Sequence, residues 1–173
     1  MRPRVFEATV LPHLDAAYNY ARWLTRNDVE AEDVVQDACI RAMRFFSSLR
    51  DDDARGWLFT IVRNTWYSRV SRRAHVAAGS PLKNGQDQWP DNALDPEERL
   101  LQQDTVTVVR AALEQLPVDF REVIVLREME GLSYKEIAAV VGVPIGTVMS
   151  RLARARDRLQ MILKLVSPKE TLR

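Results

Sequence analysis

A chain of 173 residues with 46% hydrophobic content has room for one domain or two small ones, and enough apolar material to exclude disorder throughout. Its net charge of only +1 argues against a uniformly basic nucleic-acid binder, although the charge is strongly segregated along the chain. Cys39 is the single cysteine and His13 and His75 stand apart, so a disulfide framework, a metal site and a cofactor are not expected.

The opening, MRPRVFEATVLPHLD, carries basic residues, but Glu7 and Pro12 interrupt any apolar run, so it does not read as a secretory signal. No stretch has the length and apolarity of a membrane span, and strand-like alternation is missing. The expectation is a cytoplasmic, all-α protein without membrane insertion.

Residues 5–24 read as a first helix with Leu11, Leu14, Ala17, Tyr18, Ala21 and Leu24 on one side, ended by Arg26, Asn27 and Asp28. A second helix over 29–46 buries Val34, Val35, Ala38, Ala42, Phe45 and Phe46, with Glu30, Glu32 and Asp33 near its N-terminus, where the helix dipole favours acids. The loop SSLRDDD follows. Its adjacent aspartates point in different directions, and Asp before a helix is ordinary capping rather than a metal site. A third helix over 54–73 buries Trp57, Leu58, Ile61 and Val62 and leaves Arg63, Asn64, Trp66, Tyr67, Arg69, Arg72 and Arg73 on the remaining surface. From 41 to 73, eight arginines against three aspartates leave +5, and aromatic faces among cations suit unpaired bases.

Over 74–95 the apolar period vanishes, and Gly79, Pro81, Gly85 and Pro90 punctuate a polar, acidic run that reads as a flexible linker. Asp95 as a cap, Pro96 at the first helical position and Glu97 and Glu98 in the first turn open a second small helical domain over 96–173. Its helices are expected over 96–115 and 117–130, with a final pair ending near 165.

That pair, GLSYKEIAAVVGVPIGTVMSRLARARDRL, reads as a helix-turn-helix. Ser133 and Glu136 form a capping box, and Ile137, Ala138, Val140 and Val141 supply the apolar stripe of the first helix. Gly142 ends it. Pro144 fits the first turn of a second helix whose buried side is Val148, Leu152, Ala155 and Leu159. At about 100° per residue, Thr147, Ser150, Arg151, Arg154 and Arg158 then share one flank. Arg can bond guanine edges bidentately while Ser, Thr and further Arg hold phosphates, which is the chemistry of a major-groove helix.

Two separate stretches jointly resemble one family, the extracytoplasmic-function (ECF) sigma factors, two-domain bacterial transcription initiation factors, and the resemblance covers most of the chain. AEDVVQDACIRAMRFF and ARGWLFTIVRNTWYSRVSRR resemble the family's core-polymerase helix and promoter-melting helix. LEQLPVDFREVIVLREMEGLSYKEIAAVVGVPIGTVMSRLARAR resembles its promoter-upstream module. The implied organisation is a domain over 1–73 for polymerase docking and minus-10 melting, the linker over 74–95, and a minus-35 domain over 96–173.

The resemblance further implies that Asp33, Gln36, Asp37, Ile40 and Arg41 dock on the β′ clamp coiled coil, with a second contact to the β flap. It places Arg50, Asp51, Arg55, Trp57, Asn64, Tyr67, Arg69 and Arg72 at the minus-10 element, where the loop over 49–55 would pocket a flipped base. A few kcal/mol of unstacking can be offset by such a loop and stacked aromatics. It places Ser133, Tyr134, Thr147, Met149, Ser150, Arg151, Arg154 and Arg156 at the minus-35 element. Met149 stands where relatives often carry Arg or Lys, and Ala153 where they often carry a bulky residue. The implied partners are core RNA polymerase, promoter DNA and an anti-sigma factor, with no small-molecule substrate.

Three other readings fit less of the chain. A sigma-like mimic that sequesters an anti-sigma factor would not need Ser150, Arg151, Arg154, Asn64 or Tyr67. A plain helix-turn-helix regulator leaves the surface over 33–41 unexplained. An enzyme would need a nucleophile with its base, a phosphate loop or a ligand cluster, and none is legible.

Overall fold

Pro12 decides how the chain begins. Lacking an amide hydrogen, it interrupts the helical ladder, and the single helix expected over 5–24 is instead α1 (Pro3–Val10), a 3-10 turn (Leu11–His13) and α2 (Leu14–Thr25). The break turns Phe6 and Val10 inward beside Ala17, Tyr20, Ala21, Trp23 and Leu24, while Leu11, expected inside, is exposed. The computed structural model describes residues 3–50, 53–78 and 105–166, and every regular element among them is helical.

α3 (Asp28–Phe45) starts at Asn27, whose side-chain oxygen accepts from the Glu30 N–H at 2.9 Å. Its inner stripe is Ala31, Val34, Ala38 and Ala42. Three small residues in that stripe let α2 and α4 pack closely on it. Phe45, expected inside, is exposed, because α3 ends there and a 3-10 turn (Phe46–Ser48) swings Phe46 against Phe6 at 5.3 Å and Trp57 at 6.3 Å.

α4 (Ala54–Ala78) is capped by Asp53, whose Oδ1 accepts from the Gly56 N–H at 2.9 Å, the role expected for that aspartate. The helix runs beyond 73, so residues 74–78, assigned to the linker from sequence, are helical. The rest of the expected linker, 79–95, lies outside the described residues, as does the start of the following helix. Trp66 is buried rather than on the surface, because it stands one and two turns on from Val62 and Leu58, on the stripe that faces α2 and α3.

The second half consists of α5 (Thr105–Glu114), α6 (Val118–Ile124) continuing into a π-helical turn (Val125–Met129), α7 (Tyr134–Val141) and α8 (Ile145–Val166). The helix-turn-helix forms as the sequence specifies. Ser133 Oγ accepts from the Glu136 N–H at 3.1 Å, and the Ser133 N–H donates to Glu136 Oε2 at 2.6 Å. Gly142 takes φ 76°, a left-handed conformation natural to glycine, and α7 and α8 meet at 100°. The two halves are docked: α4 packs along α7, α2 meets α6, and apolar residues from both halves join in one core. No single described helix is long and apolar enough to cross a membrane.

Ser133→Ala should lower stability by about 1 kcal/mol, read as a shifted urea midpoint, because it removes the side-chain half of the capping box. The Ser133 backbone N–H, and then its side chain, hold the Glu136 carboxyl below its ordinary value of 4.5. A depressed folded value means that this stabilisation is complete above 4.5 and is lost as acid protonates the carboxyl. An acid titration followed by the Ser133 amide NMR signal should therefore show a transition below 4.5 that Glu136→Gln abolishes.

Candidate nucleic-acid and polymerase interface

Turning Val148, Leu152 and Ala155 inward fixes what α8 can offer to a ligand. Ser150, Arg154 and Arg158 are exposed, with Thr147 and Arg151 half-buried on the same flank. The Ser150 hydroxyl donates to the Thr147 carbonyl at 3.1 Å, and Arg151 lies 4.0 Å from Asp119. The flank predicted from spacing is therefore assembled, with Arg154 and Arg158 as its outermost guanidiniums.

The remaining minus-35 candidates fall elsewhere. Met149 and Arg156 stand about 180–200° around α8 from Thr147, so one edge of the helix cannot present both groups. Arg156 pairs with Glu128 at 2.8 Å, and the Arg127 guanidinium covers the Tyr134 ring at 4.8 Å. Ser133 commits its hydroxyl to the cap.

On α3 the buried alanines force Asp33, Gln36 and Ile40 outward, in line with Met43 one turn further. Ile40 and Met43 are each 49% exposed, an apolar patch beside a carboxylate and an amide. Arg41 is half-buried. Asp37 accepts from Arg69 Nε at 3.0 Å and Nη2 at 2.5 Å, so a candidate docking residue and a candidate promoter residue hold one another.

Arg50, Asn64 and Arg72 are exposed, Trp57 is half-buried edge-on to Phe46, and Asp51 lies outside the described residues. Tyr67 is half-buried, edge-on to Trp66 at 4.7 Å. Arg55 is half-buried, and its charge acts on the carboxyls of Glu130 and Glu136 in the second half.

Between the halves lies a polar cluster that spacing did not reveal. Glu122 of α6 is completely buried, and its Oε2 accepts from Arg63 Nε at 2.9 Å and from Tyr20 Oη at 3.3 Å. Its Oε1 accepts from Arg63 Nη2 at 3.0 Å. Arg63, expected on the solvent surface, is thus turned to the second half, its guanidinium 4.3 Å over the Tyr67 ring. Arg121 sends Nε to the Trp23 carbonyl at 2.7 Å and Nη1 to the Leu116 carbonyl at 3.0 Å. Arg26 crosses the other way to the Glu114 carbonyl at 2.9 Å.

Burial pushes the Glu122 carboxyl above its usual range, against the pull of Arg63, and raises the Tyr20 hydroxyl far enough to keep it a donor. Burial, then the Arg26 charge, lowers Arg121 to about 10, which leaves it charged at neutral pH. The readable signal for this cluster was VDFREVIVL, where two adjacent charges interrupt an apolar run. A helix packed on several sides cannot bring both to water, so each needs a partner from outside its own helix.

Comparison with known proteins matches two regions in order along the chain. Sigma-70 region 2 matches residues 9–76 and sigma-70 region 4 matches residues 107–159. The chain is 35% identical over 155 residues to the ECF RNA polymerase sigma factor SigE of Mycolicibacterium smegmatis, covering 90% of this chain but only 60% of that protein's length. It is 33% identical over 168 residues to the RNA polymerase sigma-H factor of Pseudomonas aeruginosa, covering 93% of this chain and 87% of the relative. It is 36% identical over 146 residues to the ECF RNA polymerase sigma-E factor of Escherichia coli, covering 80% and 75%.

Among solved structures it is similar to the sigma factor RpoE in complex with the anti-sigma factor NepR from Bartonella quintana, with a TM-score of 0.72, 32% identity, and 94% and 98% of the two chains covered. It is also similar to CnrH in complex with the cytosolic domain of CnrY, with a TM-score of 0.66, 27% identity, and 96% and 92% covered. With both regions matched in order and relatives aligned over most of their length, the chain belongs to the ECF family of RNA polymerase sigma factors.

Proposed function

We propose that this chain is an alternative sigma factor that brings core RNA polymerase to a specific set of promoters, acts in the cytoplasm and performs no catalysis of its own. The observation that carries the reading is the exposed flank of Ser150, Arg154 and Arg158 on α8, with a buried stripe behind it that fixes its direction. Such a helix can enter a major groove and read base edges while its neighbours hold phosphates. In this reading the first half docks on the β′ clamp through Asp33, Gln36, Asp37, Ile40 and Arg41, and the exposed apolar atoms of Ile40 and Met43 support it.

Region 2 residues on the loop after α3 and along α4 then melt and hold the minus-10 strand. The outward positions of Arg50, Asn64 and Arg72 support that role, and Arg69 joins them once Asp37 engages polymerase. The two halves being docked, together with the likeness to RpoE held by an anti-sigma factor, supports regulation by an inhibitor of that kind.

Arg154→Ala should weaken promoter binding by about 1–3 kcal/mol and relax selectivity at one minus-35 base, measured by binding to a panel of single-base promoter variants. Equal weakening on every sequence would make Arg154 a phosphate contact instead. Asp33→Ala combined with Gln36→Ala should abolish co-precipitation with core polymerase while the chain's thermal unfolding stays unchanged. Undiminished co-precipitation would remove the α3 face from the docking surface.

A further inference from the structure

Apolar residues of both halves share one core, yet the contact between the halves also holds buried charge. Glu122 meets Arg63 and Tyr20, Arg121 meets the Trp23 carbonyl, and Arg26 meets the Glu114 carbonyl, so charged side chains from both halves cross the junction. A buried ion pair contributes little net stability, because desolvation offsets attraction, yet removing one partner strands the other. Separating the halves returns Arg63 and Glu122 to water together, so neither is stranded. A junction of this kind enforces one docking geometry and can still open.

Arg63 lies on the helix that carries the candidate promoter residues, next to Asn64 and one turn before Tyr67, and its guanidinium rests on the Tyr67 ring. Its Nε and Nη2 grip the two oxygens of Glu122 side by side. That fork fits a phosphate as well as a carboxylate, and an adjacent aromatic face suits an unpaired base.

We propose that Arg63 is a switch between a closed and an open form. In the closed form Glu122 of the region 4 half occupies the guanidinium in place of a strand phosphate. When the halves separate, Arg63 and the Tyr67 face become available to single-stranded promoter DNA. Glu122 is then an intramolecular competitor of DNA, and any partner that holds the halves together keeps Arg63 occupied. The inference rests on the sigma-factor reading and adds to it a second anionic partner for Arg63.

The test uses the full chain, small-angle scattering for separation of the halves, and a short random-sequence fluorescent single-stranded oligonucleotide at low salt. Glu122→Gln, nearly the same shape without the charge, should increase the radius of gyration and tighten oligonucleotide binding about tenfold, the size of one charge-assisted pair. Arg63→Gln should expand the chain equally with no gain in binding. Exchanging the charges, Arg63→Glu with Glu122→Arg, should restore compactness without restoring binding.

Helical circular dichroism separates opening from unfolding, and if Glu122→Gln loses it, the exchanged pair decides the matter. A compact exchanged pair that binds no tighter than Arg63→Gln supports the switch, and one that gains as Glu122→Gln was expected to gain overturns it. A folded Glu122→Gln that stays compact, or that opens without tighter binding, also overturns the switch, as does an Arg63→Gln that binds more tightly than the wild type. If these results hold while the wild type neither binds core polymerase nor directs transcription, the sigma-factor reading fails and the switch stands alone.

Discussion

Two adjacent charges on α6 constrain this structure more than any other feature. Arg121 and Glu122 sit on a short helix beside the buried Val118, Val123 and Ile124, and both are themselves buried. Neither is satisfied within its own helix: the first half supplies Tyr20, Arg63 and the Trp23 carbonyl, and the Leu116 carbonyl takes a further bond from Arg121. Losing one partner of a buried ion pair typically costs about 3–5 kcal/mol, far more than the intact pair contributes, so the cluster specifies alignment rather than strength. The positions of α4 along α7 and of α2 beside α6 follow from that alignment.

The same logic accounts for a basic segment in a chain with almost no net charge. Arg63 is taken by Glu122, Arg69 by Asp37 and Arg73 by Glu30 at 2.6 Å, while Arg55 lies within the influence of Glu130 and Glu136. The field that would draw phosphates non-specifically is thus damped in the docked form. The carboxylates involved come from α3 and from the second half, so their release is linked to movements of whole elements rather than of single side chains.

The π-helical turn has a positional consequence as well. The Glu130 N–H reaches back to the Val125 carbonyl at 3.1 Å, and the Leu132 N–H to the Leu126 carbonyl at 3.0 Å. Glu128, within this turn, accepts from Arg156 at 2.8 Å. The back edge of α8 is thereby tied to the protein, and the edge bearing Arg154 faces outward.

Features that depend on near neighbours in the chain were legible from sequence alone. The Ser133–Glu136 capping box, the left-handed stop at Gly142, the start at Pro144 and the flank of α8 all arise within one or two helical turns, where periodicity and capping chemistry are decisive. The division into two helical halves and the outward face of α3 were legible for the same reason. The broken first helix was written in Pro12 but outweighed by the apolar spacing around it, and the exposure of Phe45 depended on where α3 stopped. What only the tertiary structure decided is who meets whom across a gap of many residues. Arg63 and Glu122 are 59 positions apart and Arg69 and Asp37 are 32 apart, and no local period encodes such pairings. An arginine on a helix looks the same in sequence whether it faces water, DNA or a buried carboxylate, and the choice belongs to the packing of the elements around it.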